Sequence, residues 1–139
     1  MFVDASVIIA ILIEEGDAER LAAHLGQAQR PITSLIAVWE ATAGLYRRKS
    51  IPMQEAEARI AEFLELCGIE VLQTTHGELP IALQAFDRYG RHRYPDTDRN
   101  SALNLADCFH YATAKANRMP VLTKDAGFGR TDVATVGIL

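Results

Sequence analysis

The amino-acid sequence predicts an α/β fold with three layers, in which helices cover both faces of a central parallel sheet of four to five strands. Short apolar, β-prone runs alternate along the chain with longer segments of helical periodicity. Strands that alternate with helices form parallel sheets covered on both faces. The length of 139 residues is that of one domain, so residues 1–139 are expected to form a single domain.

Five runs are candidate strands and six segments are candidate helices. The predicted strands are Met1–Val3, Pro31–Thr33, Ile69–Leu72, Met119–Leu122 and Val133–Val136. The predicted helices are Ala5–Ile13, Ala18–Leu25, Leu35–Lys49, a segment from Pro52 to Cys67, a segment from about Thr75 to Tyr89, and Ala102–Asn117. The polar segment Gly90–Ser101 is rich in Arg, Asp and Tyr and is predicted to be a loop.

Local signals support these boundaries in the first half of the chain. Gly16 separates the first two helices and Gly26 follows the second. Ser34 is a suitable N-cap for the third helix. That helix ends in the basic residues 47–49, which suit the negative end of the helix dipole.

Similar signals continue in the second half. Pro52 suits the first turn of a helix, and Gly68 stops that helix. Thr75 and Glu78 have capping-box spacing before the next helix. The last helix carries an apolar stripe at helical spacing: Ala102, Leu105, Phe109, Ala112 and Ala116.

The composition limits the classes of function and the cellular compartments that fit this chain. The formal charge of −4 argues against a simple electrostatic grip on a phosphate backbone but fits a nuclease whose acids surround a metal ion. Cys67 and Cys108 form no CxxC motif, so they are expected to be buried thiols in a reducing compartment. The apolar stretch Ala5–Ile13 is too short to span a bilayer and lacks a preceding basic region. We expect a cytoplasmic protein without a membrane segment.

Four acids are candidates for the chemistry. Asp4 and Asp125 each follow a predicted strand, at the sheet edge where ligands of such folds bind. Glu40 and Asp107 lie among apolar neighbours in helices, where charges are seldom buried unless paired or metal-bound. Carboxylates gathered at one site repel each other and need a cation, and oxygen-only ligation suits Mg²⁺ or Mn²⁺.

Each acid also has a purely structural interpretation, so the functional argument depends on the set. The structural alternatives are a helix cap by Asp4, solvent exposure of Glu40 or its pairing with Arg47, pairing of Asp107 with His110, and a turn role for Asp125.

Four segments of the chain resemble the acidic motifs of PIN domains. The first is an apolar strand that delivers an acid, and the second is an apolar helix start that carries a Glu. The third, a helical segment around an Asp, is the most specific, and the fourth is a strand followed by an acid and a Phe. The segments are Met1–Ser6, Ser34–Glu40, Leu103–Ala112 and Val121–Phe128. The chain thus resembles PIN-domain ribonucleases from end to end, and in size the VapC-type toxins of type II toxin–antitoxin systems.

The resemblance implies a PIN-like fold and a set of site residues. Four acids would be both catalytic and metal-binding, and three polar residues would hydrogen-bond to them or to bound water. The acids are Asp4, Glu40, Asp107 and Asp125, and the polar residues are Ser6, Asn104 and Thr123. Asp132 is a rival for the role of Asp125, since related sequences place the last acid at slightly different positions.

The resemblance also implies an activity and partners. The activity would be Mg²⁺-dependent (or Mn²⁺-dependent) endonucleolytic hydrolysis of RNA phosphodiester bonds. A cognate antitoxin would hold it in check, and the chain would form a homodimer. Arg91 and Arg93 lie beside Tyr89 and Tyr94 and are candidate RNA contacts, although a solvated helix end with a polar loop is the slightly favoured interpretation. Trp39 is interpreted as a core or dimer contact.

Other functions fit the residues less well. A phospho-accepting receiver domain has the same α/β layout, and Lys124 could match its lysine. Such a domain needs an adjacent pair of acids after the first strand, where this chain offers only Asp4. A haloacid-dehalogenase-like hydrolase would need a DxD or DxxxT motif at the start, and Asp4-Ala5-Ser6 lacks it. A non-catalytic interaction module is disfavoured by the intact set of acids.

Overall fold

The computed structural model describes residues 1–138 and contains a five-stranded parallel sheet in the order β3-β2-β1-β4-β5. The strands are β1 Phe2–Val3, β2 Ile32–Ser34, β3 Glu70–Leu72, β4 Val121–Leu122 and β5 Thr135–Val136. The helices are α1 Ala5–Leu12, α2 Ala18–Gly26, α3 Leu35–Lys49, α4 Met53–Leu66, α5 Glu78–Tyr89 and α6 Leu105–Ala116. Short 3₁₀ helices lie at Arg91–Arg93, Asp96–Ser101 and Ala126–Arg130.

The central strand β1 joins the two halves of the sheet. Phe2 is in register with Ile32 of β2 on one side and with Val121 of β4 on the other. Because all the pairs are parallel, the carboxyl ends of the strands lie at one edge. The residues that follow β1, β2 and β4 therefore meet there, although they are far apart in the sequence.

Two apolar clusters cover the two faces of the sheet. Successive side chains of a strand point to opposite faces. Accordingly Phe2 and Val121 pack with α5 and α6, whereas Val3 and Leu122 pack with α1 to α4. This is the predicted three-layer α/β/α arrangement.

The structure corrects two predictions near the last helix. Helix α6 begins at Leu105 instead of Ala102, because Asn104 is its N-cap and Ala102 is extended. Leu105 is 78% exposed, so it lies outside the buried stripe. The segment Gly90–Ser101 is not an irregular loop, since it contains two 3₁₀ helices.

No helix within residues 1–138 combines the length and the apolar character that crossing a membrane requires.

Candidate metal centre

A cavity of about 300 Å³ opens at the carboxyl edge of the sheet, and all four predicted acids line it. Two of the three predicted polar neighbours line it as well. These lining residues are Asp4, Glu40, Asp107, Asp125, Ser6 and Asn104. Acids from four separate segments of the chain thus share one small space.

Asp4 is held by two hydroxyl groups. Its Oδ2 accepts hydrogen bonds from Ser6 Oγ at 2.6 Å and from Thr123 Oγ1 at 2.8 Å. Each hydroxyl also accepts from a backbone N–H, of Lys124 and Asp125 respectively, so its own proton is left for Asp4. Asp4 occupies the N-cap position of α1 but makes no side-chain cap, so the structural interpretation of this acid is wrong.

Asp107 belongs to a capping box at the start of α6. Its Oδ2 accepts from the backbone N–H of Asn104 at 2.9 Å, and Asn104 Oδ1 accepts from the N–H of Asp107 at 2.9 Å. Burial raises the pKa of Asp107 to about 7; the N–H of Asn104 opposes this rise, and the negative charges of Asp4 and Asp125 add to it. The free protein therefore holds Asp107 partly protonated near neutral pH.

Asp125 follows β4 and caps the 3₁₀ helix Ala126–Arg130. Its Oδ1 accepts from the backbone N–H of Gly127 at 2.7 Å. Burial raises its pKa against the effect of that N–H, and the charge of Asp4 adds to the rise. Asp125 thus has the predicted turn role and also faces the other acids.

Glu40 of α3 meets a residue that the sequence did not assign to the site. His110 Nε2 lies 2.6 Å from Glu40 Oε1 and 3.8 Å from Asp4 Oδ1, and the imidazole is fully buried. The predicted alternatives, Glu40 with Arg47 and Asp107 with His110, are both wrong. Burial lowers the pKa of His110, but the hydrogen bond to Glu40 and the charges of Asp4 and Glu40 outweigh it, and the net change is upward.

The donor set fits a hard divalent cation. One oxygen of each carboxylate accepts the hydrogen bonds described above, and within residues 1–138 no protein hydrogen bond reaches the other one. These free oxygens are Asp4 Oδ1, Glu40 Oε2, Asp107 Oδ1 and Asp125 Oδ2. Oxygen donors of this kind suit Mg²⁺ or Mn²⁺, and carboxylates fixed by protein hydrogen bonds keep their orientation when they bind an ion.

Asp132 lies outside the cavity. Its carboxylate accepts from Lys115 Nζ at 2.6 Å and from Tyr111 Oη at 2.7 Å. The hydrogen bond from Lys115 has the larger effect and the one from Tyr111 adds to it, so the pKa of Asp132 lies below its ordinary value. Of the two rivals, the geometry therefore brings Asp125 to the other acids.

The candidate RNA contacts are not part of the cavity lining. Arg93 pairs with Asp87 at 3.0 Å, and Arg91 is exposed. The cation that does line the cavity is Arg47 of α3. Trp39 is 71% exposed and also lines the cavity, so its interpretation as a core residue is wrong.

Comparisons with known proteins agree with this architecture. The PIN domain family model matches residues 1–134. A VapC ribonuclease of Rhizobium meliloti is 35% identical over 144 residues, covering 95% of this chain and 98% of that protein. Ribonuclease VapC30 of Mycobacterium tuberculosis is 28% identical over 138 residues, covering 99% of each chain.

Solved structures share the fold at lower identity. A toxin–antitoxin complex from Klebsiella pneumoniae has a TM-score of 0.71 at 17% identity and covers 97% of this chain and 94% of that chain. The sarcin-ricin loop cleaving toxin VapC20 of Mycobacterium tuberculosis has a TM-score of 0.69 at 18% identity and covers 97% of both. These findings do not favour the receiver-domain alternative. The family model, the similar sequences and the fold agree, and the chain belongs to the PIN-domain family of VapC ribonucleases.

Proposed function

We propose that this protein is a metal-dependent endoribonuclease and the toxin of a type II toxin–antitoxin pair. The observation that carries the proposal is the convergence of four carboxylates, each with a free oxygen, on one cavity. The names of its VapC relatives support RNA as the substrate. As an RNA-cutting toxin the protein would act in the cytoplasm, where its substrate is.

The four acids would hold Mg²⁺ or Mn²⁺. When bound, such an ion lowers the pKa of water and stabilises negative charge on a phosphate. Asp4, Glu40, Asp107 and Asp125 would act as the catalytic acids by binding the ion and orienting the attacking water. Around them, Ser6 and Thr123 orient Asp4, and a backbone N–H orients Asp107.

Substitution of the acids tests this function. Asp4→Asn and Asp107→Asn keep side-chain size but remove a negative charge from the ion site, so each is expected to lower RNA cleavage by more than about 100-fold. Asp132→Asn, outside the cavity, is the control and is expected to cleave at nearly the original rate. Cleavage of a fluorescent RNA by purified proteins with Mg²⁺ measures the effect, and undiminished cleavage by both cavity variants would refute the proposal.

A homodimer is supported by an exposed apolar surface beside the cavity. The apolar surface consists of exposed residues on α3, α5 and α6, namely Leu35, Trp39, Leu79, Leu83, Phe86 and Leu105. Two shallow cavities within it share Leu105 and Phe109. An exposed apolar patch of this kind marks an interaction site. Because Trp39 borders both this surface and the acidic cavity, a dimer would bring two acidic cavities close together.

A cognate antitoxin and an RNA-binding surface complete the proposal. The structural neighbours described as toxin–antitoxin complexes support an antitoxin partner. Arg91 and Arg93 remain candidate RNA contacts, although Arg93 would have to leave Asp87. Arg47 is the better placed candidate, because it lines the cavity where a phosphate would meet the acids.

A further inference from the structure

We propose that His110 is a positioning residue that holds the Glu40 carboxylate beside Asp4, so that the two acids can share one ion. The proposal rests on the proposed function for the identity of that ion as a divalent metal. It goes further by assigning a role to a buried histidine outside the set of acids.

The placement of His110 suits a supporting role. The imidazole is fully buried on α6, packs against Phe2 of the central strand with ring centroids 5.2 Å apart, and is not among the residues that line the cavity. Only its Nε2 edge approaches the acids, at 2.6 Å from Glu40 Oε1 and 3.8 Å from Asp4 Oδ1. The ring thus lies behind the two carboxylates and is fixed by core packing.

Glu40 needs such a partner more than the other acids do. Asp4 is held by two hydroxyls, and Asp107 and Asp125 are each held by a backbone N–H two or three residues away. Within residues 1–138 the one hydrogen-bond partner of the Glu40 side chain is His110, 70 positions later. A Glu side chain has more rotamer freedom than Asp, and the charge of Asp4 repels its carboxylate. The hydrogen bond to His110 opposes both effects.

The surroundings of Nδ1 favour His110 as a hydrogen-bond donor to Glu40 over His110 as a metal ligand. Nδ1 is buried and has no hydrogen-bond partner within residues 1–138. To bind a metal through Nε2, a neutral imidazole would have to carry its proton on Nδ1, and an unpaired buried N–H is costly. With a proton on Nε2, the ring donates to Glu40 whether or not Nδ1 is protonated as well. The geometry therefore favours an Nε2–H···Oε1 hydrogen bond.

Metal affinity separates this role from a purely structural one. His110→Leu removes the donor, whereas His110→Gln keeps an N–H near the position of Nε2. Loss of an outer hydrogen bond to a ligand weakens metal binding by about 10–100-fold. We expect His110→Leu to raise the Kd for Mn²⁺ by that factor, measured by titration calorimetry and by the electron paramagnetic resonance signal of free Mn²⁺. His110→Gln should recover most of the affinity.

Controls separate folding from positioning. Thr113→Val removes another buried hydrogen bond of α6, the one to Glu78, and should leave the Kd for Mn²⁺ unchanged. Denaturation midpoints in a chelator report the metal-free stability of each variant, and affinities are compared only under conditions in which each protein is folded. If His110→Leu is unfolded, His110→Met and His110→Gln replace it in the comparison.

Three outcomes would overturn parts of the interpretation. Equal Mn²⁺ affinity in the original protein and in the folded apolar variant would overturn the positioning role alone. Strong ¹⁴N modulation of the Mn²⁺ electron spin echo, lost in His110→Gln, would show that the imidazole is a direct ligand. Absence of Mn²⁺ binding by the original protein would overturn the metal site itself, and the positioning role with it.

Discussion

The single residue Asp107 has two roles: it helps to cap helix α6, and it adds a carboxylate to a cavity that already holds other acids. Its Oδ2 closes the capping box with Asn104, while its carboxylate shares the cavity with Asp4 and Asp125. Burial and these like charges make the ionised form costly in the absence of a cation, and the pKa therefore lies near 7. A bound divalent ion would remove this cost, so the acidic site should be more stable when loaded.

The raised pKa predicts how stability depends on pH in metal-free protein. The folded protein binds the Asp107 proton up to about pH 7, whereas the unfolded chain releases it near 3.8. The stabilisation that this proton contributes is therefore complete below about pH 3.8 and is lost as the pH rises through about 7. Asp107→Asn cannot titrate and should show a smaller decline. Denaturant midpoints in a chelator across this range measure the difference, and parallel declines in the two proteins would contradict it.

Arg47 is predicted to contact the RNA backbone. It lines the acidic cavity and is exposed, whereas its neighbour Arg48 pairs with Glu15. Arg47→Ala should weaken binding of a short single-stranded RNA and reduce the salt dependence of binding by about one phosphate contact. Fluorescence anisotropy with Ca²⁺ in place of Mg²⁺ measures binding. Arg48→Ala is the matched control, and equal effects of the two substitutions would argue against a specific contact.

The gathering of the four acids at one place could be predicted from the sequence, because strand ends and apolar neighbours are local signals. It did not predict the pairing of Glu40 with His110, since these residues lie 70 positions apart and meet only when α6 packs against β1. A histidine at i+3 from Asp107, with Phe109 and Tyr111 as sequence neighbours, was the available signal, but it pointed to the wrong partner.

At the level of secondary-structure elements, the predicted helix boundaries agree best with the structure where the sequence has clear capping or helix-breaking residues. Helix α3 begins after Ser34, whose side chain accepts from the N–H of Ala37, and it ends at Lys49 as predicted. The start of α6 was misplaced because Asn104 and Asp107 form a capping box inside an apolar run. The 3₁₀ helices of Gly90–Ser101 were missed because their apolar periodicity is weak, and contacts with distant residues, such as Asp98 with Arg130 and Ser101 with Gly127, do not show in the local sequence.

One of these contacts predicts an effect at Gly127. A Cβ at this position would lie 2.8 Å from the carbonyl oxygen of Ser101 and 3.0 Å from Asp125 Oδ1. Gly127→Ala should therefore push the 3₁₀ helix Asp96–Ser101 away or displace Asp125, destabilising the fold by about 1–3 kcal/mol and lowering cleavage. Chemical denaturation and the cleavage assay measure both effects.

Gly129 supplies the control for this prediction. Among residues 1–138, a Cβ there would meet the Ile138 side chain alone, at the ordinary distance of 3.6 Å. Gly129→Ala should therefore change neither stability nor cleavage appreciably. A Gly127→Ala variant as stable and as active as Gly129→Ala would show that the contact with Ser101 does not constrain Asp125.

At the level of the whole molecule, the apolar surface predicts self-association. Leu105→Glu introduces a charge at its centre while suiting the first turn of α6, so the helix should persist. We expect this variant to be monomeric in light scattering, and the original protein to be dimeric. Leu66→Glu on α4 is a matched control, since Leu66 is equally exposed but lies outside the apolar surface. A dimer that survives Leu105→Glu would place the interface elsewhere.

The order of the sheet has a consequence for synthesis on the ribosome. Asp4 leaves the ribosome before its partner Thr123, which lies 119 positions later, and before the acid Asp125, so β1 can pair with β4 only after that long interval. A nascent chain thus lacks part of the acidic cavity until Asp125 has been made. The acidic site could therefore hold an ion and cut RNA only after β4 and Asp125 have left the ribosome and folded against β1.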